Sequence, residues 1–413
     1  MKLQKKVFFT VVSLISISGY AQDAKMKQGW NFGPLPAVSY NSDQGYQYGA
    51  LCDIFYFGNG STFPEYMHKF NVEVSRYTKG SAVYHIFYDS KYLFSKVRTT
   101  MDISYLTDKM MDFYGFNGYM SAYNDSYGKS YYKIDRKLMR AIADFQGRIS
   151  DNMGWAAGIG VYKYTTGAVT LDEYAGEPDL YDKYVSCGLI DQNEAKGGTQ
   201  VELKLGVVND TRDQEADPTK GFWSEAILWG STDYLRFSLV HRGYIPVYKD
   251  KLTFAYRAAW QGKLAGEIPF YMLQNLSTLY MRQITNEGLG GFNSVRGVLR
   301  NRVVGDGVAW VNLEMRYRFW DFRFLKQNWY LALNPFFDAG RVVQYHERKK
   351  FEEAIVDYPD LIESGDKEAL HLSAGIGIKA IMNRNFIISA EYGKPFDDRD
   401  GKNGINIGLN FIF

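Results

Sequence analysis

Apolar and polar side chains alternate one for one in segment after segment of this chain, and that alternation limits its possible folds more than any other feature. In FNVEVSRYT, Phe70, Val72 and Val74 share one face while Asn71, Glu73 and Ser75 share the other. In QVELKLGVV, Val201, Leu203, Leu205 and Val207 oppose Glu202 and Lys204. In VNLEMRYRF, Leu313, Met315, Tyr317 and Phe319 oppose Asn312, Glu314, Arg316 and Arg318, and the final INIGLNFIF sets Ile405, Ile407, Leu409, Phe411 and Phe413 on one side. A helix would mix these sets, whereas a pleated strand keeps them apart. Cutting at turn signals predicts about sixteen strands. They fall near 35–41, 45–57, 66–77, 82–90, 98–107, 135–149, 154–164, 200–210, 221–231, 234–246, 252–262, 308–319, 329–340, 369–381, 385–393 and 404–413.

The strands point to a membrane wall. Residues 1–21 read as an export signal: Lys2, Lys5 and Lys6, then VFFTVVSLISIS, then Gly19 and Ala21 at the −3 and −1 positions of a cleavage site. That apolar core is shorter than the roughly 20 residues of a helical span, and no later segment approaches one. Aromatics make up 16% of the chain, yet mean hydropathy is only −0.32. Alternating lipid-facing and lumen-facing residues produce that combination. Forty glycines against ten prolines suit many strands with tight turns. The net charge of +2, without a basic run, gives no sign of a nucleic-acid partner. Cys52 and Cys187 read as two unconnected thiols.

An even strand count returns both termini to one side, the periplasm for an exported barrel. The connections alternate accordingly. Short turns at 150–153, 247–251 and 382–385 would face inward, and long stretches at 108–134, 165–199, 263–307 and 341–368 outward. The segment 346–368 has the pattern of a short amphipathic helix on an outer loop, and 165–199 reads as a solvated cap. The predicted organisation is a signal peptide (1–21), a short periplasmic lead (22–34) and one all-β antiparallel transmembrane barrel (35–413).

The glycine-rich stretch GGFNSVRGVLRNRVVGDG (290–307) places Arg296 between Val295 and Gly297. A buried, unpaired arginine costs several kcal/mol, so such a loop needs carboxylates around it. Glu314 lies on the polar face of the following strand, and Asp338 in YLALNPFFDAG shares parity with Asn334. An arginine fork held by two carboxylates can pin a loop. Gly290, Gly291 and Gly297 give the backbone the freedom to approach closely. Arg300 and Arg302 read as solvated.

These residues resemble the BamA/TamA family of outer-membrane barrels, the bacterial surface antigen proteins. SVRGV (294–298) is similar to that family's VRG motif, with Val298 where an aromatic is usual. Glu314 and FFDAG (336–340, with Phe336, Asp338 and Gly340) match the motif's lumen partners in order. DTRDQEADPTKG (210–221, with Asp210, Arg212, Asp213, Pro218 and Gly221) resembles the family's inner turn. Phe411 and the terminal Phe413 resemble its C-terminal assembly signal. The resemblance implies sixteen strands, a sixth outer loop folded into the lumen, and a bacterial outer-membrane location. About a dozen residues separate Gln22 from the first strand, too few for the periplasmic POTRA modules of translocating relatives. The expected function is assistance in inserting or translocating outer-membrane or surface proteins. Its partners would be outer-membrane lipid, periplasmic or lipoprotein subunits and unfolded clients. A structural or channel barrel serving as scaffold of an envelope complex is the alternative. No enzyme is expected. None of His68, His85, His241, His346 and His371 lies in a hydrolase motif, His68 and His85 read as rim residues, and no paired His or Cys has metal-ligand spacing. No cofactor is expected either.

Overall fold

Sixteen strands follow one another in a single sheet, each antiparallel to the next, in the order β1 to β16. The computed structural model describes residues 27–413 apart from 42–44, 64, 129, 175, 177–178, 278–286, 292, 325–326, 359, 362–366, 385 and 410. The expected signal peptide lies outside the described residues. The first eight strands are β1 (Trp30–Asn41), β2 (Gly45–Tyr56), β3 (His68–Tyr77), β4 (Ala82–Phe94), β5 (Val97–Asp112), β6 (Lys133–Arg148), β7 (Met153–Gly167) and β8 (Thr199–Asp210). The second eight are β9 (Gly221–Gly230), β10 (Tyr234–Tyr248), β11 (Leu252–Gly266), β12 (Gly307–Phe324), β13 (Gln327–Gln344), β14 (His371–Met382), β15 (Phe386–Pro395) and β16 (Gly404–Leu409).

Most strands run beyond the limits read from the sequence, because rim residues alternate less cleanly than the lipid-facing middle. β1 opens at Trp30 instead of 35, so part of the expected lead is already wall. The one marked shortfall is β16, which stops at Leu409. Ile405 and Ile407 face outward at 73% and 72% exposure, whereas Phe411 and Phe413 are buried inside. The terminal aromatics therefore leave the face that the alternation assigns them. Among the described residues β1 pairs only with β2, and β16 only with β15.

Inward parity carries the polar set. Ser75, Asp102, Arg140, Asn312, Glu314, Asn334 and Asp338 are buried, while Leu203, Leu205, Ile103 and Met139 are exposed to the lipid side. A wall so patterned leaves backbone groups bonded strand to strand and lets apolar side chains meet hydrocarbon.

The long connections between β5 and β6, β7 and β8, β11 and β12, and β13 and β14 all lie at the end opposite the termini, called outer here. Two helices sit there, α1 (Leu180–Ser186) and α2 (Arg348–Asp357). The expected solvated cap at 165–199 is instead packed in part: Asp179 caps α1 by accepting from the Asp182 N–H at 2.7 Å, and Leu180, Tyr181 and Tyr184 are buried. Tyr184 meets Phe113, Phe116 and Phe351 edge-on, with ring centroids 5.5, 5.6 and 6.2 Å apart. Loops from four hairpins thus share one aromatic core. Cys52 and Cys187 are free thiols. Of the two histidines expected at rims, His68 begins β3, but His85 faces the interior and bonds Asp102 at 2.9 Å.

Candidate functional site

The connection from β11 to β12, the sixth outer loop, turns back into the barrel. Gly290, at φ +106°, and Gly297, at φ +91°, occupy the left-handed region that a side chain would strain. Gly297 also lies against the backbone of β15: a Cβ there would sit 2.6 Å from the Gly393 carbonyl carbon. Val295 packs with Leu289, Val303, Val308, Trp310 and Val342 in an apolar cluster inside the wall. Gly340 of FFDAG makes room for it, since a Cβ at that position would stand 2.8 Å from a Val295 methyl. The valine beside the arginine is therefore an anchor. Val298 is buried in the same cluster.

Arg296 is fully buried, and three carboxylates surround it. Its Nε and Nη2 donate to Asp338 Oδ2 and Oδ1 at 2.7 and 2.9 Å, and its backbone N–H to Asp338 Oδ2 at 3.0 Å. Its Nη1 donates to Glu314 Oε1 at 2.5 Å and to Glu391 Oε1 at 3.2 Å. The guanidinium lies 3.6 Å from the centroid of the Phe336 ring. Glu314 also accepts from Arg316 Nε at 2.9 Å, and Glu391 from Lys379 Nζ at 3.0 Å. Three cations thus balance three carboxylates, which is what makes a buried ionic cluster tolerable. The sequence placed Arg296, Glu314 and Asp338 on converging elements but gave no sign of Glu391 or Lys379. The usable signal was that Glu391 is the one acid in the β15 segment FIISAEYGKP, on the inward parity.

Arg302 is buried and Arg300 half-buried, and both find partners that the reading as solvated residues did not assign. Arg300 Nε meets Asp112 of β5 at 2.5 Å, with Glu287 and Asp108 beyond it. Arg302 is buried and donates to the carbonyls of Gly118, Ser121 and Arg399 at 2.8, 3.2 and 3.1 Å. Carbonyl partners leave no trace in a sequence. One loop therefore grips β12, β13 and β15 through Arg296, β5 through Arg300, and the outer connections through Arg302.

At the other end, the turn 210–221 is tied internally. Arg212 forks onto Asp210 at 2.9 and 3.0 Å and covers Trp223. Asp213 accepts from the Thr219 and Lys220 N–H groups at 2.8 and 3.0 Å. Pro218 is buried. Gly221 sits at φ +93°, where a Cβ would strike the Thr211 carbonyl. Asp217 reaches across to Tyr330 at 2.5 Å and to Arg384 at 3.1 Å. Nearby, the chain end curls into the lumen. Phe411 lies under Arg316 at 3.9 Å, Arg316 Nη2 donates to the Phe413 carbonyl at 2.9 Å, and Arg257 Nη1 to that of Ile412 at 3.2 Å.

None of the described residues forms a cluster that could hold a metal ion. No described helix is long and apolar enough to cross a membrane, which leaves strand crossing untouched. Comparison with solved structures finds the same architecture. BamA from Haemophilus ducreyi lacking POTRA domains 1–3 aligns with a TM-score of 0.57 and 19% identity, over 93% of this chain and 69% of that one. CdiB from Escherichia coli aligns with a TM-score of 0.58 and 11% identity, over 94% of this chain and 63% of that one. At these identities the likeness is one of fold. No curated protein matches the sequence. The Omp85 superfamily domain, however, matches residues 67–413. The chain belongs to the Omp85 superfamily of bacterial outer-membrane barrels.

Proposed function

We propose that this barrel assists the insertion or translocation of other outer-membrane or surface proteins, and that the seam between β1 and β16 receives the client. The observation that carries this reading is the unpaired seam. β1 offers twelve residues and β16 only six, and neither bonds the other among the described residues. An edge strand with free N–H and C=O groups templates an incoming strand by β-augmentation. The inward curl of residues 411–413 removes the last turn of β16 from the wall and lengthens the open edge of β1. Loop 6, locked by Arg296, ties β12, β13 and β15 together on the C-terminal side of the seam, so that motion concentrates where β16 meets β1. The partners on this reading are unfolded outer-membrane clients and periplasmic or lipoprotein subunits that deliver them.

The filled interior and the aromatic cap favour a second reading, a scaffold or restricted channel in an envelope complex. Deleting the barrel and quantifying the outer-membrane and surface proteome separates the two. The first reading expects a defined set of those proteins to fall at least several-fold. Unchanged levels of all of them would reject it. For the second, purified protein in planar bilayers should conduct weakly, and Asp338→Ala should raise conductance by freeing the loop.

A further inference from the structure

Two buried arginines stand side by side in the lumen, outside the ionic cluster that holds Arg296. Arg242 of β10 and Arg257 of β11 are direct cross-strand partners. Both have inward parity, and they are 4% and 5% exposed. Side chains so placed have Cβ atoms about 4.5–5.5 Å apart, and like charges there repel. The same row continues through Asn312 of β12 to Asp338 of β13, but Asp338 is already forked by Arg296. The lock matches its three carboxylates with Arg296, Arg316 and Lys379. Arg242 and Arg257 therefore add positive charge that the lock does not balance.

Arg257 bonds only neutral oxygens among the described residues. Its Nε donates to Asn312 Oδ1 at 2.8 Å, its Nη1 to the Ile412 carbonyl at 3.2 Å and its Nη2 to the Asn293 carbonyl at 3.1 Å. A guanidinium carries more N–H donors than these bonds use. A buried cation without a counter-charge is costly, and neutral carbonyls do not supply one.

Both arginines line one cavity of about 40 Å³ between β10, β11 and loop 6. A water needs ~10–15 Å³ of such space, so a small ion fits there and a bulky organic anion does not. The one carboxylate in the lining, Glu287, is bonded to Arg300 at 3.4 Å and to Asn293 Nδ2 at 3.3 Å. Arg242 also lines a second cavity, of about 740 Å³, which reaches the inner turn at Arg148 and Asp151. That cavity gives an ion a way in from the periplasmic end.

We propose that the smaller cavity binds one small inorganic monoanion, a halide such as chloride, between Arg242 and Arg257. The ion supplies the charge that the cross-strand pair needs. It also steadies Arg257, which holds loop 6 at Asn293 and the chain end at Ile412. The site depends on neither the seam nor a client.

The test is thermal unfolding of the full chain in detergent, in chloride and in gluconate of equal ionic strength. The midpoint should rise by about 2 °C for each tenfold rise in chloride above half-saturation and stay level in gluconate. Arg242→Gln, which removes the like-charge pair, should abolish the rise. In crystals grown in bromide, an anomalous peak should lie between the two guanidiniums. Equal midpoints in chloride and gluconate, or a chloride dependence that folded Arg242→Gln retains, would overturn the proposal. So would the absence of the bromide peak. A peak without any chloride effect would mean an adventitious ion only, and would overturn it too. If Arg242→Gln does not fold, the wild-type comparison and the bromide peak decide alone.

Discussion

Arg296→Ala leaves Asp338, Glu314 and Glu391 facing one another without their shared cation. Breaking a buried pair from one side costs ~3–5 kcal/mol; here Asp338 loses its cation, while Glu314 and Glu391 keep Arg316 and Lys379. The variant should therefore lose heat-resistant migration and expose loop 6 to protease. Arg296→Lys should recover only part of this, because an ammonium cannot fork onto Asp338, reach Glu314 and stack on Phe336 together. Full recovery by lysine would reduce the site to simple charge balance. Gly297→Ala makes a separate prediction. It forces a side chain into left-handed backbone, a strain of about 1–3 kcal/mol, and into the β15 backbone at Gly393. Loop protection should fall although every charge remains. Wild-type protection in Gly297→Ala would mean that loop and wall are not in close contact.

Among the elements, the outer end of loop 6 has an anchor that depends on pH. Asp306 accepts from His346 Nδ1 at 2.8 Å and is paired with Lys263. Burial alone raises its carboxyl, but the His346 hydrogen bond and the Lys263 ammonium outweigh that and hold it below the ordinary carboxylate value. A depressed carboxyl contributes stability that is fully present above its unfolded pKa, about 3.9. That contribution disappears as pH falls through the lower folded value. Hydrogen exchange where loop 6 meets the β13–β14 connection should thus hold down to about pH 4 and rise on further acidification. Asp306→Asn should exchange faster at neutral pH and lack the acid step; an identical profile would remove Asp306 from the anchor. At the chain end, Arg316→Ala takes away the guanidinium that covers Phe411 and bonds the Phe413 carbonyl. Residues 411–413 should become protease-sensitive while loop 6, still held by Asp338, stays protected.

At the scale of the molecule, what the sequence disclosed and what it hid have one physical origin. Wall residues are read pairwise, inward or outward, so period two gives strand number, order and parity, and placed Glu314 and Asp338 inside with Arg296. Glu391 was hidden because its partner Arg296 stands 95 residues away on loop 6, and local alternation does not encode which inward acid a loop will reach. Arg302 was hidden because its partners are carbonyls. The curl at Phe411 reverses a face that alternation alone extends, because Arg316, Arg257 and Lys379 offer those rings a better environment than the seam does. The outer cap was underestimated for a related reason: tyrosines suit solvated loops and packed aromatic clusters alike, and only the convergence of four loops decides between them. The seam is the feature on which the proposed activity rests, and one measurement addresses it directly. A photoreactive residue placed at Ile407 of β16, irradiated in cells during pulse labelling, should form adducts with newly made outer-membrane proteins, and these should vanish on chase. Adducts with lipid or with this chain's own β1 alone, unchanged by the chase, would contradict the account.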